Sequence, residues 1–173
     1  GKLLGENIGG YLPFSFEITS SLADGENILK VDVIDTLDLS LPYGKQRKKR
    51  GGMWYTPISG IWQTVWLERV PTSYVKNFKV YTDIHAGTVT LAISAVNSEG
   101  MTVRVETGYK GEPTGKNEAT VSGGMAYVTV KLTELHLWEI GVGNIYDMAI
   151  YLGKDAISSY FGMRSVEVKD GFL

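Results

Sequence analysis

A chain of 173 residues with 43% hydrophobic content and a mean hydropathy of −0.04 has a globular composition and the length to bury a core, in one large domain or two small ones. A net charge of −2 and a pI near 5.7 argue against a nucleic-acid partner, which needs a basic face, and no apolar run reaches the ~18 residues of a membrane span. The absence of cysteine excludes disulfides, thiolate metal sites and a cysteine nucleophile; it leaves an extracellular home open, and a bacterial-type cytoplasmic or periplasmic setting is the expectation.

The first stretch, GKLLGENIGGYLPF, has one basic residue and no apolar h-region, so no secretory signal is read there, although residue 1 need not be the start of the gene product. Residues 27–35, NILKVDVID, alternate Ile28, Lys30, Asp32 and Ile34 with Leu29, Val31 and Val33, which predicts a strand with one apolar face. Residues 44–52, GKQRKKRGG, place five basic residues in six positions. A phosphate-contacting patch would use them, but a solvated loop between strands explains them more simply, because like charges in a row repel and stay exposed.

Residues 51–70 then hold three of the four tryptophans. Residues 61–68 read as a strand, with Trp62, Thr64 and Trp66 on one face and Ile61, Gln63, Val65 and Leu67 on the other. An indole prefers a half-buried place with its N–H satisfied. A tryptophan face flanked by threonine therefore serves either as a sugar platform or as a domain interface, and the interface is preferred for Trp62 and Trp66. Trp54 and Tyr55 differ, since they lie in a proline-punctuated loop after the basic run.

Pro71-Thr72-Ser73 marks a boundary. Beyond it, alternating segments at 74–84, 88–96, 101–109, 125–132, 145–152 and 157–168 are separated by glycine turns such as Ala86-Gly87, Glu99-Gly100, Gly123-Gly124 and Gly153-Lys154-Asp155. Six or seven strands in this span match an immunoglobulin-like sandwich of about 100 residues, held by packing alone. No segment shows a 3.6-residue apolar stripe of helical length, so the chain is expected to be all-β. Residues 1–70 hold only three or four long strands, about half of what a two-sheet domain needs.

The chemistry-bearing residues are sparse. Glu134 and Glu139 flank His136 and Trp138 in ELHLWE, yet a loop with exposed carboxylates and a packed tryptophan accounts for them. His85 and His136 are the two histidines, without metal-ligand spacing, and His85 in TDIHAG reads as a turn residue. There is no G-x-S-x-G elbow and no phosphate-binding loop, and SGG at 122–124 is a hairpin turn. No catalytic residue, metal ligand or cofactor is assigned from the residues.

Several segments together resemble family 2 glycoside hydrolases, the β-galactosidases, β-glucuronidases and β-mannosidases. GGYLPFSFEIT (9–19), GENILKVDV (25–33), GKQ (44–46) and WYTPISGIWQTVWLE (54–68) are similar to the closing half of the family's galactose-binding-like jelly roll. Residues 74–163 resemble the immunoglobulin-like domain that follows it. LWEIGVGNIYDMAIYLG (137–153) is similar to the family's Leu-Trp and Asn-Leu-Tyr segment, and YFGMRSVEVKDG (160–171) to the strand leading into the catalytic (β/α)₈ barrel.

The resemblance implies a partial jelly roll over 1–72, an immunoglobulin-like sandwich over 73–163, and a strand or linker over 164–173 leading to the barrel. Retaining hydrolysis of a terminal β-linked sugar needs two carboxyl groups roughly 5 Å apart. In the family both are glutamates on barrel strands, so these residues are expected to be a non-catalytic support that turns nothing over alone. In the family the 44–55 loop approaches the substrate pocket, which makes Trp54 and Tyr55 candidate sugar contacts and Lys45 their polar partner. The expected partners are a carbohydrate, the barrel of the same protein, and a second copy through unpaired jelly-roll edges.

Departures from the family are also legible. Ile140 and Gly143 stand where prolines are often found, and Gly52 stands where some β-galactosidases carry an aspartate that touches sugar and a cation. The alternative function is a stand-alone carbohydrate-binding or adhesion module without a barrel.

Overall fold

A computed structural model describes residues 1–168 and 171 of the chain. By its internal contacts the chain divides into two compact units, residues 1–66 and 67–173. Among the described residues there is no α-helix, and all the regular strands lie in the second unit.

The second unit is a seven-stranded antiparallel sandwich. Its strands are β1 (Tyr74–Asp83), β2 (Thr88–Val96), β3 (Thr102–Tyr109), β4 (Glu112–Thr120), β5 (Met125–Lys131), β6 (Tyr146–Leu152) and β7 (Asp155–Phe161). One sheet has the order β1-β2-β5 and the other β4-β3-β6-β7. The all-β class and the immunoglobulin-like sandwich read from the sequence are what this unit adopts, while the partial jelly roll read for residues 1–72 has no named strand among residues 1–66.

Period-two patterning explains the layers. Leu91, Ile93, Val128 and Val130 of one sheet face Val103, Val105, Met148, Ile150 and Leu152 of the other, and all are buried. β5 alternates strictly, with Ala126, Val128 and Val130 inside and Tyr127, Thr129 and Lys131 outside. Burying a Val, Leu or Ile side chain contributes about 1.5–3 kcal/mol, so this aliphatic layer holds the sandwich without a disulfide.

The alternation does not reveal β4. Its sequence, EPTGKNEAT, is charged and contains Pro113 and Gly115, and only Thr114 is buried. An edge position explains this: proline and charge are tolerated where one side of the strand meets no neighbour. Gly115 has a further role. A Cβ there would lie 2.6 Å from the Lys131 carbonyl oxygen and 2.7 Å from Val130 Cγ1, so only glycine lets β4 approach β5 of the opposite sheet this closely.

The expected strand at 157–168 ends early. β7 stops at Phe161, and Met163 makes a single parallel bridge to Leu137 of the β5–β6 connection. Residues 164–168 join no β-ladder among the described residues, although the Thr82 hydroxyl donates to the Arg164 carbonyl at 2.8 Å; Lys169, Asp170, Phe172 and Leu173, the end of the expected barrel-leading strand or linker, lie outside them.

The first unit departs from the strands read at 27–35 and 61–68. A 3₁₀ turn at Thr19–Ser21 and two isolated bridges, Gln46–Tyr55 and Gly51–Trp54, are its regular features among the described residues. Residues 27–35 have no ladder partner, and Ile28, Leu29, Val31, Val33 and Ile34 are all exposed. Alternation marks a segment suited to a sheet, but a strand exists only when its N–H and C=O groups meet a partner. Among the described residues no such partner pairs with these segments.

Candidate functional site

Two separate loops, one in each unit, carry most of the candidate residues. The first runs from Tyr43 to Ile58. Gln46 is its internal clamp: Nε2 donates to the Tyr43 carbonyl at 2.9 Å, and Oε1 accepts from the Ile58 N–H at 2.9 Å. The Tyr55 N–H donates to the Lys45 carbonyl at 2.9 Å, which fixes the basic run beside the aromatic pair. Gly52, at a φ of 58°, sits in the reversal between them, a conformation that favours glycine. The glycine at this position thus serves the turn, and no carboxylate stands there.

Residues i and i+2 of an extended segment share a face. Lys45 and Arg47 do so, and each meets one of the aromatic side chains. The Lys45 ammonium lies 5.5 Å from the Tyr55 ring centre, and the Arg47 guanidinium lies 4.2 Å from the Trp54 ring centre. Trp54 is half-buried and Tyr55 is 66% exposed. The structure thus brings Lys45, Trp54 and Tyr55 together, and adds Arg47, which the sequence reading passed over. The guanidinium lies over the half-buried indole, which leaves Tyr55 as the freer ring. Spacing from Lys45 was the available signal for Arg47, but its contact with Trp54 depends on the reversal at 51–54.

Beside this loop is an open groove of about 690 Å³, lined by residues 36–39, Tyr43 and residues 47–49. Asp38 stands on its wall. The Ser40 N–H and hydroxyl, at 2.9 and 2.8 Å, hold its carboxyl below the usual carboxylate range, and the Lys48 charge adds to the effect.

Trp62 and Trp66 are 66% and 69% exposed. The Trp62 N–H donates to the Gly10 carbonyl at 2.7 Å, so its polar edge is satisfied while its ring is bare. Neither ring is packed in a core.

The second loop, residues 132–145, joins β5 to β6. Tyr146, fully buried at the start of β6, anchors it: its hydroxyl accepts from the His136 N–H at 2.6 Å and donates to the Glu134 carbonyl at 3.0 Å. This is a tyrosine corner of the kind found in immunoglobulin-like sandwiches. Burial pushes the phenol ionisation up. The Tyr109 hydroxyl donates to Asn144 Oδ1 at 2.7 Å, and Asn144 Nδ2 donates to the Leu137 carbonyl at 2.9 Å. The His136 ring stacks on Tyr109 at 4.0 Å between ring centres. Its Nε2 is 3.1 Å from a Glu134 carboxylate oxygen, and no better-aligned partner reaches it among the described residues.

Glu139 closes a small turn through its backbone, with reciprocal bonds to Val142 at 3.0 and 2.9 Å, and its side chain is exposed. Trp138 is half-buried against Gly162, with Arg164 over its ring at 4.8 Å. A cavity of about 410 Å³ opens here, lined by Ile84, Leu137, Trp138, Ile140, Met163 and Arg164 among others. Glu134 and Glu139 therefore belong to the architecture of a loop. His85 lies in the β1–β2 turn, where its N–H and that of Ala86 donate to Asp83 Oδ1 at 2.9 and 2.8 Å. Among the described residues no group of three or more His, Cys, Asp or Glu side chains is placed to hold a metal ion, and no helix is long and apolar enough to cross a membrane.

Comparison with known proteins identifies the family of the sandwich. The family described as Glycosyl hydrolases family 2 matches residues 73–164, more than half of the chain. A β-galactosidase of Leuconostoc mesenteroides is 27% identical over 195 aligned positions, covering 100% of this chain and 18% of that protein. A β-galactosidase of Clostridium acetobutylicum is 25% identical and covers 100% of this chain and 20% of that protein. A solved β-glucuronidase from Ruminococcus gnavus, in complex with N1-substituted uronic isofagomine, superposes on 58% of this chain and 18% of its own with a TM-score of 0.43 and 20% identity. The chain thus spans about a fifth of the length of the curated relatives it matches.

Proposed function

From the premise that this chain belongs to family 2 of the glycosyl hydrolases, we propose that it is a non-catalytic β-sandwich region of a retaining β-glycosidase. The observation that carries this reading is the family match across the whole sandwich, residues 73–164, in a chain that covers about a fifth of β-galactosidases. Its work in the parent enzyme is mechanical and peripheral to the chemistry. The β5–β6 loop, with Leu137, Trp138 and Ile140 around its cavity, offers an apolar seat for the catalytic barrel. Trp62 and Trp66 pack their bare rings on another domain of the same enzyme. The 44–55 loop reaches toward the sugar, with the Tyr55 face as the stacking surface and Lys45 beside it. An aromatic face complements the C–H face of a pyranose, while the adjacent ammonium donates to its hydroxyls.

The reading is tested with nitrophenyl β-glycosides, assayed on this 173-residue chain and on a protein in which it is joined to a family 2 barrel. Turnover is expected only from the joined protein, and Tyr55→Ala there should raise KM with little change in kcat, as loss of a binding contact does. Turnover by the short chain that disappears in Glu134→Gln or Glu139→Gln would overturn it.

A further inference from the structure

The basic run is left unexplained by a neutral sugar. Lys45, Arg47, Lys48, Lys49 and Arg50 are all exposed, and none of them forms an ion pair within 4.0 Å among the described residues. The chain has seventeen basic residues; without these five, twelve remain against nineteen acidic ones, so the loop stands as a cationic island on an acidic protein. Asp38, near Lys48, is the one carboxylate on the groove wall beside it.

Arg47 is the informative member. A guanidinium lying on an indole face gives up its π-surface to the ring and keeps its in-plane N–H groups free. At 4.2 Å from the Trp54 ring centre it rests over the indole, a contact that limits its freedom in the unbound loop. A planar fork of donors so held matches a carboxylate or sulfate in two-point contact, whereas a hydroxyl uses only one of its bonds. The groove of about 690 Å³ runs past Arg47, Lys48 and Lys49, and Tyr55 presents its open ring on the same loop.

We propose that the 44–55 loop and its groove bind an acidic saccharide, with the anionic group forked on Arg47, Lys48 and Lys49 around it, and a sugar ring on Tyr55. This rests on the reading above that the loop meets carbohydrate, and it adds the charge of the ligand.

The test is affinity electrophoresis of the full chain in native gels containing polygalacturonate, carrageenan, neutral galactan or single-stranded DNA. The first two separate carboxylate from sulfate as the recognised group. Retardation by at least one acidic polysaccharide and much less by galactan is expected. Arg47→Glu should weaken that binding about ten-fold or more, the size of one charge-assisted contact. Arg47→Lys should weaken it too, because an ammonium keeps the charge and loses the fork. Trp54→Ala should weaken it by releasing Arg47, and unchanged circular dichroism shows that each variant keeps its fold. No retardation by either acidic polymer overturns the proposal. So does Arg47→Glu with undiminished binding, or DNA bound as tightly and indifferent to Trp54→Ala, which describes an unselective polycation. Binding of galactan that depends on Tyr55, with no preference for acidic polymers, removes this proposal while leaving the sugar-contact reading standing.

Discussion

Replacing Tyr146 with phenylalanine isolates the anchor of the β5–β6 loop. The ring packing is kept, since Tyr146 stacks on Phe161 at 5.1 Å between centres and meets Tyr109 at 5.2 Å, and the phenyl ring fills the same space. What is lost is one hydroxyl that serves two backbone groups, the His136 N–H and the Glu134 carbonyl. A hydrogen bond contributes about 0.5–1.5 kcal/mol net, and a donor left unpaired in a partly buried place costs more. Two such losses amount to about 2 kcal/mol. At about 4–8 °C per kcal/mol for a domain of this size, the unfolding midpoint of the sandwich should fall by about 10 °C. Thermal melts followed by near-ultraviolet circular dichroism read it directly, and Tyr146→Ala, which also opens a cavity, should fall further. A midpoint for Tyr146→Phe within about 2 °C of the parent would refute the reasoning, because the loop would then be held by its other bonds, those of Asn144 above all.

Three further outcomes follow from the structure. Gly115→Ala should destabilise the sandwich by about 1–3 kcal/mol, since its Cβ would press on the Lys131 carbonyl, and chemical denaturation would show the shift in midpoint. Asp83 accepts the Ala86 N–H and, more weakly, that of His85, which lowers its pKa from the ordinary aspartate value in the folded protein; its contribution to stability is therefore complete above the unfolded value and is lost as pH falls through the folded one. Asp83→Asn should flatten the stability profile in that acidic window and leave the neutral range alone, as melts across a pH series would show. Finally, the exposed apolar side chains of residues 1–66, Ile28, Ile34, Trp62 and Trp66 among them, should make the isolated chain associate. Sedimentation velocity would show a mass that rises with concentration, and a strictly monomeric chain across the micromolar range would count against self-pairing.

The same residues show how far a sequence carries. The aliphatic alternation of TVTLAISAV and MAYVTVKL is sufficient for β2 and β5, because only one register buries every second side chain. β4 escaped because an edge strand has no such demand to meet: Thr114 alone turns inward, and Gly115 is dictated by a backbone on the opposite sheet that no local pattern announces. In residues 1–66 the alternation was legible and the strand was not formed, because ladder bonds come from neighbours and alternation describes one chain only.

For the candidate site, composition determined the ingredients: the aromatic pair, the basic run, and the absence of any metal-ligand spacing or nucleophile motif. The resemblance of ordered motifs determined the family. Tertiary structure decided which cation meets which ring, placing Arg47 on Trp54 and Lys45 on Tyr55 through a turn of glycines and one glutamine clamp. It also decided that Glu134 and His136 belong to a tyrosine corner, since the hydroxyl that fixes them comes from Tyr146, ten or more positions along the chain. Such contacts depend on where the backbone returns, and the sequence specifies that return only through the fold as a whole.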